Sequence, residues 1–367
     1  MIPREVFAQT LLSFLAPVRQ YLDDPEVTEI MINGPFEIFI EKAGRIHKTS
    51  ARFENRDVLE AAMRNLAQFV GKKVSEQQPI LEARLPDGSR VEAVFPPASP
   101  DGPHVAIRRF FQETLTIERL LKLGSVSKPG ADLLSALVGA KQNIIVAGGT
   151  GSGKTSMLNV LSSFVDGNER VVVIEDNREL QLQGAHVVQF EARPPDARGR
   201  GEISVRELFR ATLRMRPDRI VVGEIRGGEA LDLVQAMISG HGGCLSTVHA
   251  TYPIDTLNRL ETMALMSDIG LPHHALRAQI ASAIDIVVQT ARLQDGSRCV
   301  THISEVRGYT AEHGYQVTDL FKRRVVGRSA DGRVLSEFVS TGEEPRCVGM
   351  IESLGLGTIS GPEAGDS

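Results

Sequence analysis

Asn143-Ile144-Ile145-Val146-Ala147 runs directly into Gly148-Gly149-Thr150-Gly151-Ser152-Gly153-Lys154-Thr155-Ser156. The first five residues read as a short strand buried on both faces of a sheet. The next nine match G-x-x-x-x-G-K-[ST]. Glycines there let backbone N–H groups curl round a β-phosphate without side-chain clash. A helix starting near Lys154 adds its positive N-terminal end. Lys154 is expected to bridge β- and γ-phosphates, and Thr155 to hold Mg²⁺. The loop predicts nucleotide binding. By itself it does not separate a motor from a kinase or a recombinase.

Working outward, two more apolar strands end in acids. Val171–Ile174 leads into Glu175-Asp176, with Glu179 following, and Arg219–Val222 leads through Gly223 to Glu224. In a P-loop fold the strand beside the loop brings a carboxylate to Mg²⁺ or to the attacking water. The first position of the usual Asp-Glu pair is Gly223 here, which leaves Glu224. We therefore expect Glu224 to position or deprotonate water, and Glu175 to support it or the metal-water shell. Gly240-His241-Gly242-Gly243 then precedes a fourth strand, Leu245–Val248, which ends at His249. His249 is expected to sense the γ-phosphate and His241 to order the turn before it.

Between Arg193 and Arg219 there are eight arginines and four acids. Ser204-Val205-Arg206-Glu207 is a capping box, and Arg206, Arg210 and Arg214 are four apart, so one helix face carries all three. They could form a solvated face, contact DNA, or reach a neighbouring subunit's phosphates. Arg108-Arg109 could likewise reach across a nucleotide cleft.

The rest of the chain sets bounds. Its 367 residues suit about two domains. Charged residues are 24% and hydrophobic residues 42%, an ordinary globular balance that excludes a disordered, collagen-like or polytopic membrane chain. Net charge is −5 and there is no Trp, which argues against general nucleic-acid binding. Cys244, Cys299 and Cys347 form no Cys-x-x-Cys pair, so zinc ribbons have no support and a reducing compartment fits. Neither a signal peptide nor a spanning apolar run is visible. Residues 1–112 read as a small α+β domain, with strands around Val27–Asn33, Glu37–Glu41, Glu82–Leu85 and Arg90–Phe95 and a helix over Asp57–Val70. Residues 113–340 read as α/β with a mostly parallel sheet, and 341–367 as an irregular tail. Ten of the 34 glycines fall in the loop, around Glu224 and around His241, three segments expected to converge on one nucleotide.

In this order the loop, the acid-ended strands and the histidine segment resemble the secretion and pilus traffic ATPases, a P-loop superfamily of type II and type IV secretion and type IV pili. Its marks are an Asp box (Ile174-Glu175-Asp176 to Glu179), a Walker B of the Gly-Glu kind (Val222-Gly223-Glu224-Ile225-Arg226-Gly227) and a His box ending at His249. Val27-Thr28-Glu29-Ile30-Met31-Ile32-Asn33-Gly34, Glu191-Ala192-Arg193-Pro194-Pro195, Leu213–Ile220, Gly227–Asp232 and Gln279–Asp285 resemble the CpaF/TadA branch, the motors of tight-adherence (Flp) pili. The likeness covers about residues 25–340. It departs from the family's pattern where His241 is followed by Gly242-Gly243 rather than Asp-Gly. Only about 25 residues stand before the sheet domain, where longer members carry an extension. No zinc-binding Cys cluster of the type II relatives is present.

The resemblance implies a RecA-like domain preceded by a PAS-like sheet domain, with ATP and Mg²⁺ as cofactors. It implies a homo-hexameric ATPase at the inner face of the cytoplasmic membrane, driving a platform protein with no direct nucleic-acid contact. Arg108, Arg109, Arg206, Arg210 and Arg214 would close the nucleotide site within or between subunits. The competing classes are a nucleic-acid motor, a module that binds nucleotide without hydrolysis, and a small-molecule kinase.

Overall fold

Pro17 sets the first break in the chain. A proline is tolerated in the first turn of a helix but not in its interior. The apolar periodicity over residues 5–22 accordingly forms two helices, α1 (Arg4–Phe14) and α2 (Ala16–Asp23), with Pro17 in the first turn of the second. This computed structural model describes residues 4–110, 115–182, 186–196, 199–267, 269–330 and 332–356. The chain separates into two compact units, Met1–Glu113 and Thr114–Ser367.

In the first unit, α2 is followed by β1 (Val27–Asn33), β2 (Ile38–Lys42), β3 (Arg45–Lys48), α3 (Arg56–Phe69), β4 (Ile80–Arg84), β5 (Arg90–Val94) and β6 (His104–Arg108). The strands form one antiparallel sheet, ordered β3-β2-β1-β6-β5-β4. A bulge between Val27 and Glu29 lets Val27, Ile30 and Ile32 all face inward despite their uneven spacing. They pack with Leu59, Met63 and Leu66 of α3, whose first turn is capped by the Asn55 side chain accepting from the Val58 amide. Pro86-Asp87-Gly88-Ser89 forms the turn its composition predicts, with the Asp87 carboxylate accepting from the Ser89 amide and hydroxyl, each at 2.9 Å.

The second unit contains α4 (Ile117–Lys122), α5 (Lys128–Gly139), β7 (Ile144–Gly148), α6 (Lys154–Ser162), β8 (Val171–Glu175), β9 (Val187–Glu191), α7 (Val205–Thr212), β10 (Arg219–Val222) and α8 (Glu229–Ile238). It continues through β11 (Leu245–Val248), α9 (Pro253–Ala264), α10 (His273–Ala283), β12 (Ile286–Arg292), β13 (Arg298–Thr310), β14 (Gly314–Arg328), β15 (Val334–Ser340) and α11 (Val348–Ser353). One nine-stranded sheet runs β15-β14-β13-β12-β7-β11-β10-β8-β9. From β12 to β9 every pairing is parallel, and β13 to β15 extend the sheet antiparallel.

Alternation along β7 builds two cores. Ile144 and Val146 face Leu134 and Leu137 of α5 and Leu158 and Leu161 of α6. Ile145 and Ala147 face Phe209, Leu231, Val234, Leu257 and Ile280 of α7 to α10. Both faces are covered, which is why these strands are apolar throughout rather than alternating. Of the expected irregular tail, residues 357–367 lie outside the described residues, and the described part from 341 to 356 is not irregular throughout. It carries α11, whose Ile351 is fully buried in the α5 side of the core. Among the described residues no helix is long and apolar enough to cross a membrane.

At the opposite end of the strands from the phosphate loop, Arg219 is 1% exposed. Its Nε donates to Glu169 at 2.8 Å and its Nη2 to the Val138 carbonyl at 2.8 Å. The Lys141 ammonium sits 2.9 Å from the same Glu169. A side chain at Gly243 would overlap Arg219 Nη1, so this buried ion pair accounts for that glycine.

Candidate functional site

The carboxyl ends of parallel strands are where α/β sheets bind ligands, and the chemistry-bearing segments leave the sheet there. Val248 of β11 stands opposite Ala147 of β7, and Thr290 of β12 opposite Gly148. The loop between β7 and α6 needs its glycines for two different reasons. Gly151 (φ 69°) and Gly153 (φ 95°) adopt left-handed backbone. Gly148 is hemmed in instead: a Cβ there would lie 2.7 Å from the Thr290 carbonyl oxygen and overlap both the Ser152 and Thr290 hydroxyls. The Thr290 hydroxyl donates to Ala147 O at 3.0 Å and lies 2.9 Å from Ser152 Oγ, which is buried. Strand β12 thus ties down the near side of the loop.

Helix α6 begins at Lys154 with no side chain capping it among the described residues. Gly149 and Thr150 are exposed, and Thr155 and Ser156 half-buried, on this helix start. Left-handed glycines, an uncapped helix N-terminus, a buried lysine and a threonine are a donor set that fits a nucleotide's phosphates with a divalent cation. Among the described residues no group of three or more His, Cys, Asp or Glu side chains is assembled to hold a metal. A Mg²⁺ held here would take the Thr155 hydroxyl and the phosphates as ligands.

A line of charges runs from the loop across the next strands. Lys154 Nζ donates to Gly149 O at 3.1 Å and lies 3.3 Å from each ring nitrogen of His249. His249 Nε2 is 2.7 Å from Glu224 Oε1. Glu224 Oε2 accepts from Arg226 Nε at 2.6 Å, and Arg226 Nη1 reaches Asp176 at 3.3 Å. Burial and the Lys154 charge hold the His249 imidazole below its ordinary pKa, against the opposing pull of Glu224. A neutral ring protonated on Nε2 suits both neighbours: Nε2–H donates to Glu224, and Nδ1 accepts from Lys154.

Glu175 closes β8 and is 3% exposed. Its Oε1 accepts from the amides of Glu179 and Leu180, each at 2.9 Å. Its Oε2 is buried with no hydrogen-bond partner among the described residues. Burial pushes the carboxyl pKa up to about 7. A Cβ at Gly223 would stand 2.9 Å from Glu175 Cγ, so the packing of Glu175 explains why the residue before Glu224 is not an acid.

The raised pKa makes a stability prediction. The folded protein keeps this proton up to about pH 7, whereas the unfolded chain releases it near 4.5. Folding stability is therefore unaffected by this group below about pH 4.5, falls as pH rises to about 7, and is constant above. The fall is roughly 3 kcal/mol. Glu175→Gln should flatten it, and denaturant titrations of both proteins between pH 5 and 8 would measure the change in slope. Parallel curves would contradict the assignment.

Several expected contributors make contacts other than those with the loop. His241 follows α8 at the start of β11, where Leu245 pairs with Ile144, so it sits at the opposite end of the strands from the loop. Its amide donates to Ala236 O at 3.1 Å and its carbonyl accepts from Cys244 Sγ at 3.1 Å. Those are backbone contacts, and its ring Nδ1 is buried with no hydrogen-bond partner among the described residues. His241 does not reach the loop of its own chain, and Gly240, Gly242 and Gly243 stay with it. The helix carrying Arg206 and Arg210 ends at Thr212, so Arg214 lies beyond it and the three do not share one helix face. Arg206 and Arg210 donate to the two oxygens of Asp232 at 2.6 and 2.9 Å. Arg109 donates to the carbonyls of Tyr21 and Asp24 at 3.0 and 2.6 Å, closing the end of α2. Arg108 is exposed at the end of β6.

Sequence reasoning missed Thr290 and Gln289. Gln289 is buried and donates to the carbonyl of Ala250, the residue after His249, at 3.0 Å. Only the polar pair ending the apolar run Ile286–Val288 hints at them.

The family described as type II/IV secretion system protein matches residues 13–346. The type IV secretion system protein PtlH of Bordetella pertussis is 36% identical over 303 residues, covering 76% of this chain and 89% of the relative. VirB11, a type IV secretion system protein of Brucella suis, is 33% identical over 320 residues, covering 80% and 88%. The X-ray structure of the Legionella pneumophila ATPase DotB is similar in fold, with a TM-score of 0.56 at 21% identity over 78% of this chain and 79% of that one. With a family match over most of its length and these two relatives in agreement, the chain belongs to the type II/IV secretion system protein family.

Proposed function

We propose that this chain is the ATP-hydrolysing subunit of a hexameric motor on the cytoplasmic face of the inner membrane. It powers pilus assembly of the tight-adherence (Tad/Flp) kind, or protein secretion, through an inner-membrane platform protein. The observation that carries the reading is the contiguous line Lys154–His249–Glu224 at the mouth of the phosphate loop. Bound Mg²⁺ would neutralise phosphate charge as the terminal bond breaks. Lys154 and the loop amides orient the β- and γ-phosphates. Glu224 holds or deprotonates the attacking water. His249, between the two, registers whether a γ-phosphate is present. Glu175, buried at the end of the neighbouring strand, supports Glu224 or the metal-water shell.

Other features support parts of this. PtlH and VirB11 are type IV secretion system proteins. The CpaF/TadA motif segments favour the tight-adherence branch, and the helix-backed antiparallel sheet of residues 27–108 fits a PAS-like domain. Arg108 and Arg214, both exposed, remain the arginines suited to a nucleotide held by a neighbouring subunit. The nucleic-acid motor loses its main support, because Arg206 and Arg210 are engaged by Asp232. Purified protein should release phosphate from Mg·ATP and sediment as a hexamer with nucleotide. A monomer that releases none would remove the proposal.

A further inference from the structure

The proposed chemistry leaves one strand end beside the phosphate loop without a role. Strand β12 runs parallel to β7 with Thr290 opposite Gly148, then continues two residues past it to Arg292. The chain turns, and β13 starts at Arg298, directly opposite Arg292. Both arginines are exposed, and both stand against the loop. The nearest side-chain atom to a Cβ built on Gly151 is Arg292 Nη1, at 3.9 Å. For Gly153 it is Arg298 Cδ, also at 3.9 Å. These are the two loop glycines with left-handed backbone.

The hairpin holding them is fixed from outside the loop. Asp295 at its tip accepts from the Ser297 amide at 3.0 Å, the Ser297 hydroxyl at 2.6 Å and the Val334 amide at 2.7 Å. Ser125 donates to the Arg298 carbonyl at 2.7 Å. The arginine backbones therefore sit on anchored strands, and only the long side chains need to adjust to a ligand. Guanidinium groups match phosphate oxygens in two-pronged geometry, and they remain charged at every working pH.

We propose that Arg292 and Arg298 bind the polyphosphate of the nucleoside triphosphate from the β12–β13 side of the loop. The inference rests on reading the loop as an ATP site. It adds a second cationic wall to Lys154, supplied by a hairpin about 140 residues downstream.

The test is kinetic and by equilibrium binding. Arg292→Ala and Arg298→Ala should each raise KM for ATP about ten-fold, with a much smaller change in kcat. Arg292→Lys and Arg298→Lys should recover part of that loss, since charge returns without the fork. Arg324→Ala, an exposed arginine on β14, controls for net charge and should change nothing. Binding of a fluorescent ATP analogue reads the same assignment without turnover. Unchanged KM and unchanged analogue binding in both alanine variants would overturn it, as would an equal loss in Arg324→Ala. Wild-type protein that binds the analogue but releases no phosphate would overturn the hydrolase reading alone. The arginine assignment would then stand or fall on the binding data.

Discussion

Glu224→Gln is expected to lower the rate of ATP hydrolysis about 10²–10⁴-fold while leaving ATP affinity within a few-fold of wild type. The substitution is close to isosteric. A glutamine oxygen can still accept from His249 Nε2–H, the contact that holds the carboxylate at 2.7 Å. Arg226, which donates to the other carboxylate oxygen at 2.6 Å, loses an ionic partner but keeps Asp176 at 3.3 Å. The phosphate loop is untouched, because Glu224 follows β10 and the loop follows β7, with β11 between them. What disappears is a group able to accept a proton from water. The signature is therefore a fall in kcat with binding retained, measured by phosphate release and by equilibrium binding of a fluorescent ATP analogue. A fall in binding as large as the fall in kcat would mean that Glu224 holds nucleotide rather than water.

Lys154→Ala is expected to fail earlier, at binding. The ammonium is the one side-chain cation planted within the loop sequence, and it is buried rather than reaching into solvent. Two charge-assisted hydrogen bonds to phosphate oxygens are worth roughly 3–6 kcal/mol together, so kcat/KM should drop about 10²–10⁴-fold. The same substitution has a readout without nucleotide. Lys154 is one of the causes that hold the His249 imidazole below its ordinary pKa, so its removal should raise that pKa. An NMR titration of His249 in both proteins would show the shift upward. An unmoved imidazole would separate the two residues electrostatically and contradict the coupled site.

What was legible in the sequence follows a simple rule. Segments whose function depends on their own neighbours could be read. The loop, Glu224 and His249 each sit at the end of a short apolar strand, and a parallel sheet brings such ends to one edge. Segments whose role depends on distant pairing could not. Thr290 meets Ser152 across 138 residues, and Arg109 meets Tyr21 across 88, and no local pattern encodes either contact. Strand β14 carries Lys322, Arg323 and Arg324 in a row because it lies toward the exposed edge of the sheet, so it lacks the apolar signal of the central strands.

Two misreadings have the same physical origin. Spacing of four places Arg206, Arg210 and Arg214 on one face only if the helix continues, and α7 stops at Thr212. Gly240, Gly242 and Gly243 around His241 are expected to converge on the nucleotide, whereas Gly243 takes a left-handed backbone (φ 77°) and leaves room for the Arg219 guanidinium. A glycine reports that space or a backbone conformation is needed. It does not say for what.

Lys154, Glu224 and His249 are proposed to form one ATP-hydrolysing site. Its most direct test is phosphate release from saturating Mg·ATP by wild type and Glu224→Gln, with analogue binding measured on the same preparations. Wild type should turn over, both proteins should hold nucleotide, and the variant should release phosphate at least a hundred-fold more slowly. Equal release rates in the two proteins would contradict it.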